Sequence, residues 1–426
     1  MNRQAFTSYI LEKNLLPREK FHLKSKYGAN AFEQLSQSAL LIAHENFRAG
    51  VKVKVFPLQG KAVYSTSCLR EKIILRHCAS NLHQAMGLNL KQRNAIIDEV
   101  KIYLSEGSKF KTYRLDIKSF FESIDFELLM RDIEGNINIS RHTRSLVEWY
   151  LKGCKNKHQN SGLPRGLEIS PVLSEIYLIE FDNFIKTHVD VLYYSRFVDD
   201  ILLITTANED EREFINFINT SLPEGLEINN AKDKKSISPI ITKRKQGSKP
   251  DGTDLHSFNF LGYQIRIINT HVAKGNYKAA FRSIKIGFSE KRLKKFKTRI
   301  SRAFYAYNNN NDYKILVDRI KFLTSNREIK RQVKGQNKII KRKISTGIFY
   351  SNSKLDPDSP HLDELDKFLF FCIQNTKSRL NNGRKVSFTN TQKRELLKNS
   401  FKSGFIKRTH ISFNYKRCTE IMKIWL

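Results

Sequence analysis

Two adjacent acids, Asp199 and Asp200, lie between two short apolar runs, and this position makes them candidates for chemistry. Residues 192–197 and 201–204 have the pattern of strands, which places Val198 and both acids at the turn of a hairpin. Neighbouring carboxylates repel each other and are poor strand formers. A bound cation is one way to stabilise them; solvation of an exposed turn is the alternative.

A further acid and a glycine-containing loop precede this hairpin. Asp116 ends a strand-like run and is followed closely by Phe120 and Phe121. Residues 161–171 form a glycine-punctuated loop ending in Ser-Pro, and Ser170 is predicted to cap a helix there. The order along the chain is therefore a strand with a terminal Asp, a loop that leads into a helix, and an Asp-Asp hairpin.

In this order the chain resembles the reverse transcriptases, the right-handed polymerases with fingers, palm and thumb. The resemblance covers residues from about 60 to 270 and is carried by segments similar to motifs A to E, in that order: 115–124, 163–171, 197–200, 225–232 and 258–263. It implies an α+β fold in which an antiparallel sheet of the palm carries the catalytic Asp residues. An all-helical thumb and C-terminal domain is expected to follow.

The resemblance also implies a two-metal nucleotidyl transfer, in which a primer 3′-hydroxyl attacks the α-phosphate of an incoming deoxynucleotide. Asp116 and Asp199 are expected to bridge two Mg²⁺ ions, with Mn²⁺ as an alternative metal. Asp200 completes the acidic cluster, and the backbone carbonyl of Ile117 is expected to supply a further oxygen ligand.

The nucleotide-binding residues follow from the same motifs. Phe121 matches the aromatic steric gate that excludes a ribose 2′-hydroxyl, although a core aromatic is the alternative. Arg165 stands where many relatives carry Gln, beside Gly166, and this places a cation at the nucleotide or template. Lys232 matches the lysine that protonates the leaving pyrophosphate, with Lys234 and Lys235 as competitors.

Cations near the N-terminus occupy the place of the fingers. A triphosphate needs positive charge beyond that of two metals. The candidates are Lys61, Arg70, Arg76 and Arg93. The alternative for each is a solvated or RNA-facing charge.

The composition indicates a polyanionic partner. The 426 residues include 75 Lys and Arg against 42 Asp and Glu, a formal net charge of +33. The sequence shows no apolar run long enough to span a membrane, which predicts a cytoplasmic protein without a membrane partner. The five cysteines are scattered, so neither a zinc site nor a disulfide framework is predicted.

A strongly basic helix is predicted beyond residue 285. Residues 281–343 contain twenty Lys and Arg against four Asp and Glu, an excess expected to grip a nucleic-acid backbone. The residues on which this prediction rests are Lys291, Arg292, Lys294, Lys295 and Arg299. The family resemblance adds Phe197 of motif C and the motif E pair Gly262 and Tyr263 as nucleic-acid contacts.

Domain boundaries are predicted at two places. Residues 1–107 are expected to form an N-terminal segment and fingers, 108–275 the palm with an interleaved fingers segment, and 276–426 the helical thumb and C-terminal RNA-binding extension. A basic loop is predicted over 241–253. In the last part, residues 308–311 are expected to form a loop, and Leu396 to Phe401 to lie on one helix that Gly404 ends.

Within the reverse transcriptases, the phrases at 113–124 and 194–201 look like the bacterial abortive-infection and defence-associated group. That group implies a structured noncoding RNA template, a DNA product, a role against phage, and association with a second reverse transcriptase or another copy of the chain. Retron or group II intron enzymes, a template-independent or protein-primed DNA polymerase, and a non-catalytic RNA-binding scaffold are the alternatives.

Overall fold

A computed structural model describes residues 4–425 apart from 29, 59, 159–161, 241–251, 253, 275–276, 333–338 and 375–387. The chain divides into two units, Met1–Lys91 with Phe110–Pro239 and Gln92–Lys109 with Ile240–Leu426. The finer division at 107 and 275 stays a prediction. The predicted basic loop lies outside the described residues, save residue 252.

The chain begins with helices and a hairpin. Thr7 starts the first helix by accepting a hydrogen bond from the backbone N–H of Ile10, as an N-cap does. The elements up to residue 104 are α1 (Ser8–Lys13), α2 (Pro17–Tyr27), α3 (Ala31–His44), β1 (Val53–Leu58), β2 (Lys61–Thr66), α4 (Leu69–Ala85) and α5 (Arg93–Leu104), of which α5 belongs to the second unit.

The remainder of the first unit alternates strands with helices. Its elements are β3 (Phe110–Asp116), α6 (Phe120–Ser123), α7 (Phe126–Gly135), α8 (Arg141–His158), α9 (Ser170–Ile176), α10 (Ile179–Thr187), β4 (Val191–Phe197), β5 (Asp200–Thr205), α11 (Glu211–Ser221) and β6 (Ser236–Ile240). The strands form one sheet in the order β4-β5-β3-β6. Both strands of the predicted Asp-Asp hairpin are therefore confirmed.

The apolar residues of this sheet explain why it is stable. Leu115 of β3 and Ile201 and Leu203 of β5 are buried in a core shared with the helix residues Phe181 and Phe214. Each such side chain contributes about 1.5–3 kcal/mol on burial. The core fixes β3 against β5, and this pairing brings the acid-bearing strand ends together.

The second unit contains two sheets and a set of helices. Its further elements are β7 (Asp254–Phe260), β8 (Tyr263–Lys274), β9 (Tyr277–Phe288), α12 (Glu290–Asn310), α13 (Tyr313–Thr324), β10 (Asn326–Gln332), β11 (Ile339–Gly347), a 3₁₀ turn (Tyr350–Asn352), α14 (Pro360–Gln374), α15 (Asn390–Leu397), α16 (Phe401–Ile406), β12 (His410–Ile411) and α17 (Tyr415–Met422). The α+β class is confirmed, but the C-terminal part is not all-helical.

The sheet β11-β10-β12 is the part that the sequence did not predict. β10 and β11 are antiparallel, whereas β12 pairs with β10 in parallel. Asn326 is fully buried at this junction; its backbone N–H donates to the carbonyl of Thr409 at 2.8 Å and its Oδ1 accepts from Phe349 N–H at 2.9 Å. The abundant Lys and Arg of β10 and β11 hide the strand pattern, because long aliphatic stems are tolerated on exposed sheet faces.

Three local predictions are corrected. Helix α12 continues through Asn310 and ends at Asn311, which adopts φ +50°, so 308–311 is not a loop. Residues 396–401 lie on two helices, and Gly404 is inside α16, not at its end. Ser170 is the first residue of α9 and not its cap, since its hydroxyl donates to the carbonyl of Pro164 at 2.6 Å.

Candidate active site

The turn that carries Asp199 is strained and braced. Val198 adopts φ +61°, a left-handed conformation that costs a β-branched residue about 1–2 kcal/mol. The Arg196 guanidinium holds the turn by donating from Nη1 to the carbonyl of Val198 at 3.0 Å. The position of Asp199 is thus set by packing around the turn and not by the intrinsic preference of its neighbour.

Arg196 is itself held by two acids. Its side chain is 2% exposed, and Nη2 lies 2.7 Å from Glu175 of α9 and 2.8 Å from Asp182 of α10. Burial raises the pKa of Glu175, although Arg196 opposes this shift. The network ties the Asp-Asp hairpin to two helices, because a buried guanidinium must satisfy its donors locally.

Asp116 and Asp200 are direct partners across the sheet. They are opposite residues in the antiparallel register of β3 and β5, and Asp116 is 4% exposed. The backbone N–H of Ile117 donates to the Asp199 carbonyl at 3.1 Å. The three acids predicted from sequence therefore meet at one edge of the sheet.

Two cations and an amide donate hydrogen bonds to two of these acids. Lys234 Nζ donates to Asp116 Oδ2 at 2.8 Å, and Asn229 Nδ2 donates to Asp116 Oδ1 at 3.1 Å. Arg114 Nη2 donates to Asp200 Oδ1 at 3.0 Å. Charge-assisted bonds of this kind fix the carboxylate orientations.

The electrostatics of the site favour added positive charge. Burial, with the negative charge of Asp116, raises the pKa of Asp199. Burial also raises the pKa of Asp200; Arg114 opposes the shift, whereas Asp199 and Asp116 add to it. The pKa of Lys234 is raised in turn, because its hydrogen bond to Asp116 and the charges of the other two acids outweigh burial. Crowded carboxylates disfavour ionisation unless a cation compensates.

The donor set fits a divalent metal in its chemistry. Across the described part of the chain, no group of three or more His, Cys, Asp and Glu side chains forms a ready-made metal site. Asp116, Asp199 and Asp200 nevertheless supply the hard oxygen ligands that Mg²⁺ prefers. In the observed side-chain positions, Lys234 and Arg114 provide the compensating charge.

The segment similar to motif D is bonded to the end of β3. Lys118 N–H donates to the Glu227 carbonyl at 2.9 Å, and Asn229 N–H donates to the Asp116 carbonyl at 2.7 Å. An isolated bridge joins Ile117 to Ile228. Of the lysines named from sequence, Lys234 contacts Asp116, Lys235 donates to Asn230, and Lys232 is exposed.

The loop similar to motif B lies against both the Asp116 turn and the N-terminal hairpin. Leu163 N–H donates to the Phe121 carbonyl and Tyr64 N–H to the Arg165 carbonyl, each at 2.7 Å. A Cβ at Gly162 would lie 2.4 Å from the Glu122 carbonyl oxygen. Gly166 adopts φ +97°, and a Cβ there would lie 2.8 Å from the Tyr64 carbonyl oxygen. Only glycine permits this approach at these two positions.

Phe121 and Arg165 form one contact. The Arg165 guanidinium lies over the Phe121 ring at 4.8 Å and pairs with Glu122 at 3.3 Å. Phe121 is 8% exposed, so the gate and core interpretations are both compatible with its burial. A cavity of about 390 Å³ adjoins Arg165 and is also lined by Lys61 and Ser119, large enough for a nucleotide.

Two of the other predicted fingers cations differ in their environment. Arg70 lies in the first turn of α4 and is partly exposed. Arg76 Nη1 donates to Glu19 at 2.8 Å and Nη2 donates to Glu168 at 2.9 Å. These acids already neutralise the Arg76 charge, so the structure does not support its assignment to the triphosphate and gives it a bracing role between helices and loop.

The predicted nucleic-acid contacts are also divided. Phe197 is 39% exposed and accessible. Gly262, with φ +78°, lies in the turn that joins β7 to β8, so motif E is a hairpin and not a single strand. Tyr263 is fully buried, with Arg93 over its ring at 4.3 Å and Arg292 at 5.8 Å. Burial of Tyr263 does not favour its direct contact with nucleic acid, and that contact stays a prediction.

The basic residues of α12 lie on two faces. Lys291, Lys294 and Lys295 are exposed, whereas Arg292 and Arg299 are partly buried. Burial, with the nearby Arg93, lowers the pKa of Arg292 to about 10. The helix thus combines a solvated lysine face with arginines that are partly withdrawn from water.

Three site residues were missed from sequence. Arg114 precedes Asp116 by two positions on β3, so strand periodicity puts both on one face, and this signal was readable. Arg196 is a charge within an otherwise apolar and aromatic strand, which also marks it. Asn229 has no sequence signal, because its role depends on a contact 113 residues away.

Residues 71–265 match the model of the family described as reverse transcriptase (RNA-dependent DNA polymerase). The matched segment contains every acid of the site and both glycines of the loop. This part of the chain is therefore similar to a reverse transcriptase domain.

Solved polymerases are similar over different shares of the chain. A truncated apo telomerase from Candida tropicalis is 15% identical, covers 51% of this chain and 53% of its own, and has a TM-score of 0.32. The apo telomerase of that organism is 13% identical, covers 88% of this chain and 64% of its own, and has a TM-score of 0.36. The BmCPV RNA-dependent RNA polymerase at its elongation state is 10% identical, covers 68% of this chain and 28% of its own, and has a TM-score of 0.33.

This chain spans about half to two thirds of the length of those telomerases. No curated protein matches it. Among the described residues, no helix is both long and apolar enough to cross a membrane.

Proposed function

We propose that the protein is an RNA-directed DNA polymerase that adds deoxynucleotides by a two-metal mechanism. The observation that carries the proposal is the meeting of Asp116, Asp199 and Asp200 at one sheet edge, inside the segment that matches the reverse transcriptase family. The cavity beside Arg165 supplies adjacent space for a nucleotide.

In this mechanism Asp116 and Asp199 would hold two Mg²⁺ or Mn²⁺ ions, with Asp200 and the Ile117 carbonyl as further oxygen donors. When bound, such ions stabilise the attacking 3′-hydroxyl oxygen and the leaving pyrophosphate. Lys234 orients Asp116 by donating a hydrogen bond to its carboxylate. Lys232 and Lys234 are the two candidates to donate a proton to the pyrophosphate.

Substrate selection falls to the loop beside the site. Arg165 and Lys61 line the same cavity and would contact the triphosphate, since guanidinium and ammonium groups bind phosphate oxygens. Phe121 would exclude the ribose 2′-hydroxyl. Glu122 limits the positions that Arg165 can adopt, because the pair is already formed.

Primer extension on an RNA template tests the polymerase proposal. Asp199→Ala and Asp200→Ala are each expected to lower Mg²⁺-dependent deoxynucleotide incorporation by about three orders of magnitude, while RNA binding stays within about twofold of the parent. Asp233→Ala, at an exposed position nearby, serves as the control for general damage to the loop. Unchanged incorporation by both acid variants would contradict the proposal.

We further propose that the template is an associated structured noncoding RNA and that the enzyme acts in the bacterial cytoplasm against phage, alone or beside a second reverse transcriptase. The support is the resemblance of residues 113–124 and 194–201 to the defence-associated group, together with the net charge of +33. Sequencing of copurified RNA and DNA tests the template. Equal phage plating on cells with the parent and with Asp199→Ala would count against a catalytic defence role.

A further inference from the structure

A second cavity, of about 300 Å³, lies wholly within the second unit. Its lining includes four cations and no acidic side chain: Arg292, Lys295 and Arg299 from α12, and Arg327 from β10. Solvated helix faces usually mix charges of both signs, so a cavity whose charged lining residues are all cations indicates an anionic ligand.

The arginines are held by neutral partners. Arg292 Nη2 donates to the Ser351 carbonyl at 2.9 Å and lies over the Tyr263 ring. Arg327 lies over the Phe322 ring at 3.4 Å, and its Nη1 donates to the Ser325 carbonyl at 3.3 Å. Carbonyl groups and rings orient a guanidinium without cancelling its charge. The two groups are thus positioned in advance and keep their full charge for a ligand.

Electrostatics point the same way. Among the described residues, no ion pair involves Arg292, Lys295, Arg299 or Arg327, although other cations of this unit pair with acids, such as Lys297 with Glu364 at 2.5 Å. Burial lowers the pKa of Arg292 and of Arg327 to about 10. An anion in the cavity would relieve the cost of holding these charges away from water.

The uncharged part of the lining includes an apolar wall. Phe296, Leu323 and Ile348 contribute to the cavity wall. A ligand that fills the space must therefore combine a strongly anionic group with a less polar body. A nucleotide has both, and about 300 Å³ suits one nucleotide and not a continuous strand.

We propose that this cavity binds a single phosphorylated nucleotide, with its phosphate on the arginines and its nucleoside against the apolar wall. A terminal phosphate monoester carries two negative charges, whereas an internal phosphodiester carries one, so a cluster of four cations favours the monoester. The ligand has two sources, the 5′-phosphorylated end of a nucleic-acid strand or a free mononucleotide. This proposal is independent of polymerase activity, since no residue of the catalytic site contributes.

Binding of two matched probes tests it. The probes are a twelve-nucleotide RNA labelled at its 3′ end, with either a 5′-monophosphate or a 5′-hydroxyl, measured by fluorescence anisotropy in EDTA at about 150 mM salt. The parent is expected to bind the phosphorylated RNA about tenfold more tightly. Arg299→Gln with Arg327→Gln should reduce this ratio to near one.

Two further variants separate the cavity from general attraction. Lys291→Gln with Lys294→Gln removes two exposed charges of the same helix that do not line the cavity; it should weaken both probes equally and preserve the ratio. Because Arg327 packs on Phe322, its variant is checked by thermal unfolding. Lys295→Gln, at an exposed position, replaces the arginine double variant if that variant fails to fold. This single change should lower the ratio by about threefold.

Competition with AMP distinguishes the two sources. Displacement of the phosphorylated RNA by AMP at a concentration near the AMP dissociation constant supports a free mononucleotide, and persistence of the tenfold ratio without displacement supports a strand end. Equal binding of both RNAs by the parent, with no binding of AMP, would overturn the proposal. So would loss of the ratio in the lysine control alone.

Discussion

The cations around the acidic site and the cations around the second cavity have different kinds of partner. In the first unit, Arg114 and Lys234 are bonded to the acids of the site, and Arg196 lies between Glu175 and Asp182. In the second unit, Arg292 and Arg327 lie over aromatic rings and donate to backbone carbonyls. The same residue type thus positions carboxylates in one unit and remains available to anions in the other.

This difference shows that net charge alone does not locate a binding surface. A guanidinium between two carboxylates contributes to positioning and little to attraction, because its charge is balanced within a few ångströms. A guanidinium held by neutral partners keeps a positive charge that no nearby acid balances. Sorting cations by partner is therefore more informative than counting them, and the following predictions test that sorting.

The largest effect is expected at Arg196. Arg196→Met would leave Glu175 and Asp182 buried without their cation and remove the donor to Val198. Loss of one partner from a buried ion pair costs about 3–5 kcal/mol, so thermal unfolding should occur at a markedly lower temperature. Arg299→Met, whose side chain has no ion pair among the described residues, is the matched control and should cost far less.

A change at Phe121 tests the role of Arg165, which lies over the Phe121 ring and pairs with Glu122. Phe121→Ala removes the ring under Arg165 and opens space beside the sugar. Discrimination against ribonucleotides is expected to fall by roughly 10- to 200-fold, measured as the ratio of kcat/KM for the two nucleotide types. Unchanged discrimination would assign Phe121 to the core and place the gate elsewhere.

Lys234 and Lys232 form a natural pair for comparison. Lys234→Ala removes the charge-assisted bond to Asp116 and should lower the rate of DNA synthesis about tenfold. Lys232→Ala, at an exposed position, should change the rate by less if its role is not chemical. The reverse order of effects would identify Lys232 as the proton donor and Lys234 as a spectator.

The smallest effect concerns the pH dependence of stability. Because the folded pKa of Asp199 is raised, its ionised form destabilises the folded protein above that pKa, and the cost disappears as pH falls toward the ordinary value of about 3.9. In EDTA at pH 7, Asp199→Asn should therefore unfold roughly 2 °C higher than the parent. The difference should shrink toward pH 4, and Mg²⁺ should reverse it. A constant difference at every pH would disprove the assignment.

The sequence predicted the hairpin, the strand before Asp116 and the glycine loop, because each rests on local patterns of apolar spacing and turn residues. The meeting of the three acids at one sheet edge could be expected from the order of the motifs. Arg114 was readable from strand periodicity. These features can be predicted from residues that are close along the chain, or from the register of a single pair of strands.

What escaped prediction depends on distant contacts. The charge of Arg76 is balanced by Glu19 and Glu168, which lie 57 and 92 residues away in the sequence. The burial of Tyr263 depends on how the second unit packs. The strands β10 to β12 escaped because their basic composition masked the period-two pattern, and because β12 contains only two residues.

The parallel pairing of β10 with β12 also has a consequence for how the protein forms on the ribosome. The backbone N–H of Asn326 donates to the carbonyl of Thr409, 83 residues later. This buried N–H therefore lacks its folded-state partner until Thr409 has left the exit tunnel. Translation proceeds at about 5–20 residues per second, which leaves β10 with one edge open for several seconds or more. During that interval the strand is available to chaperones, or to the same strand of another nascent chain.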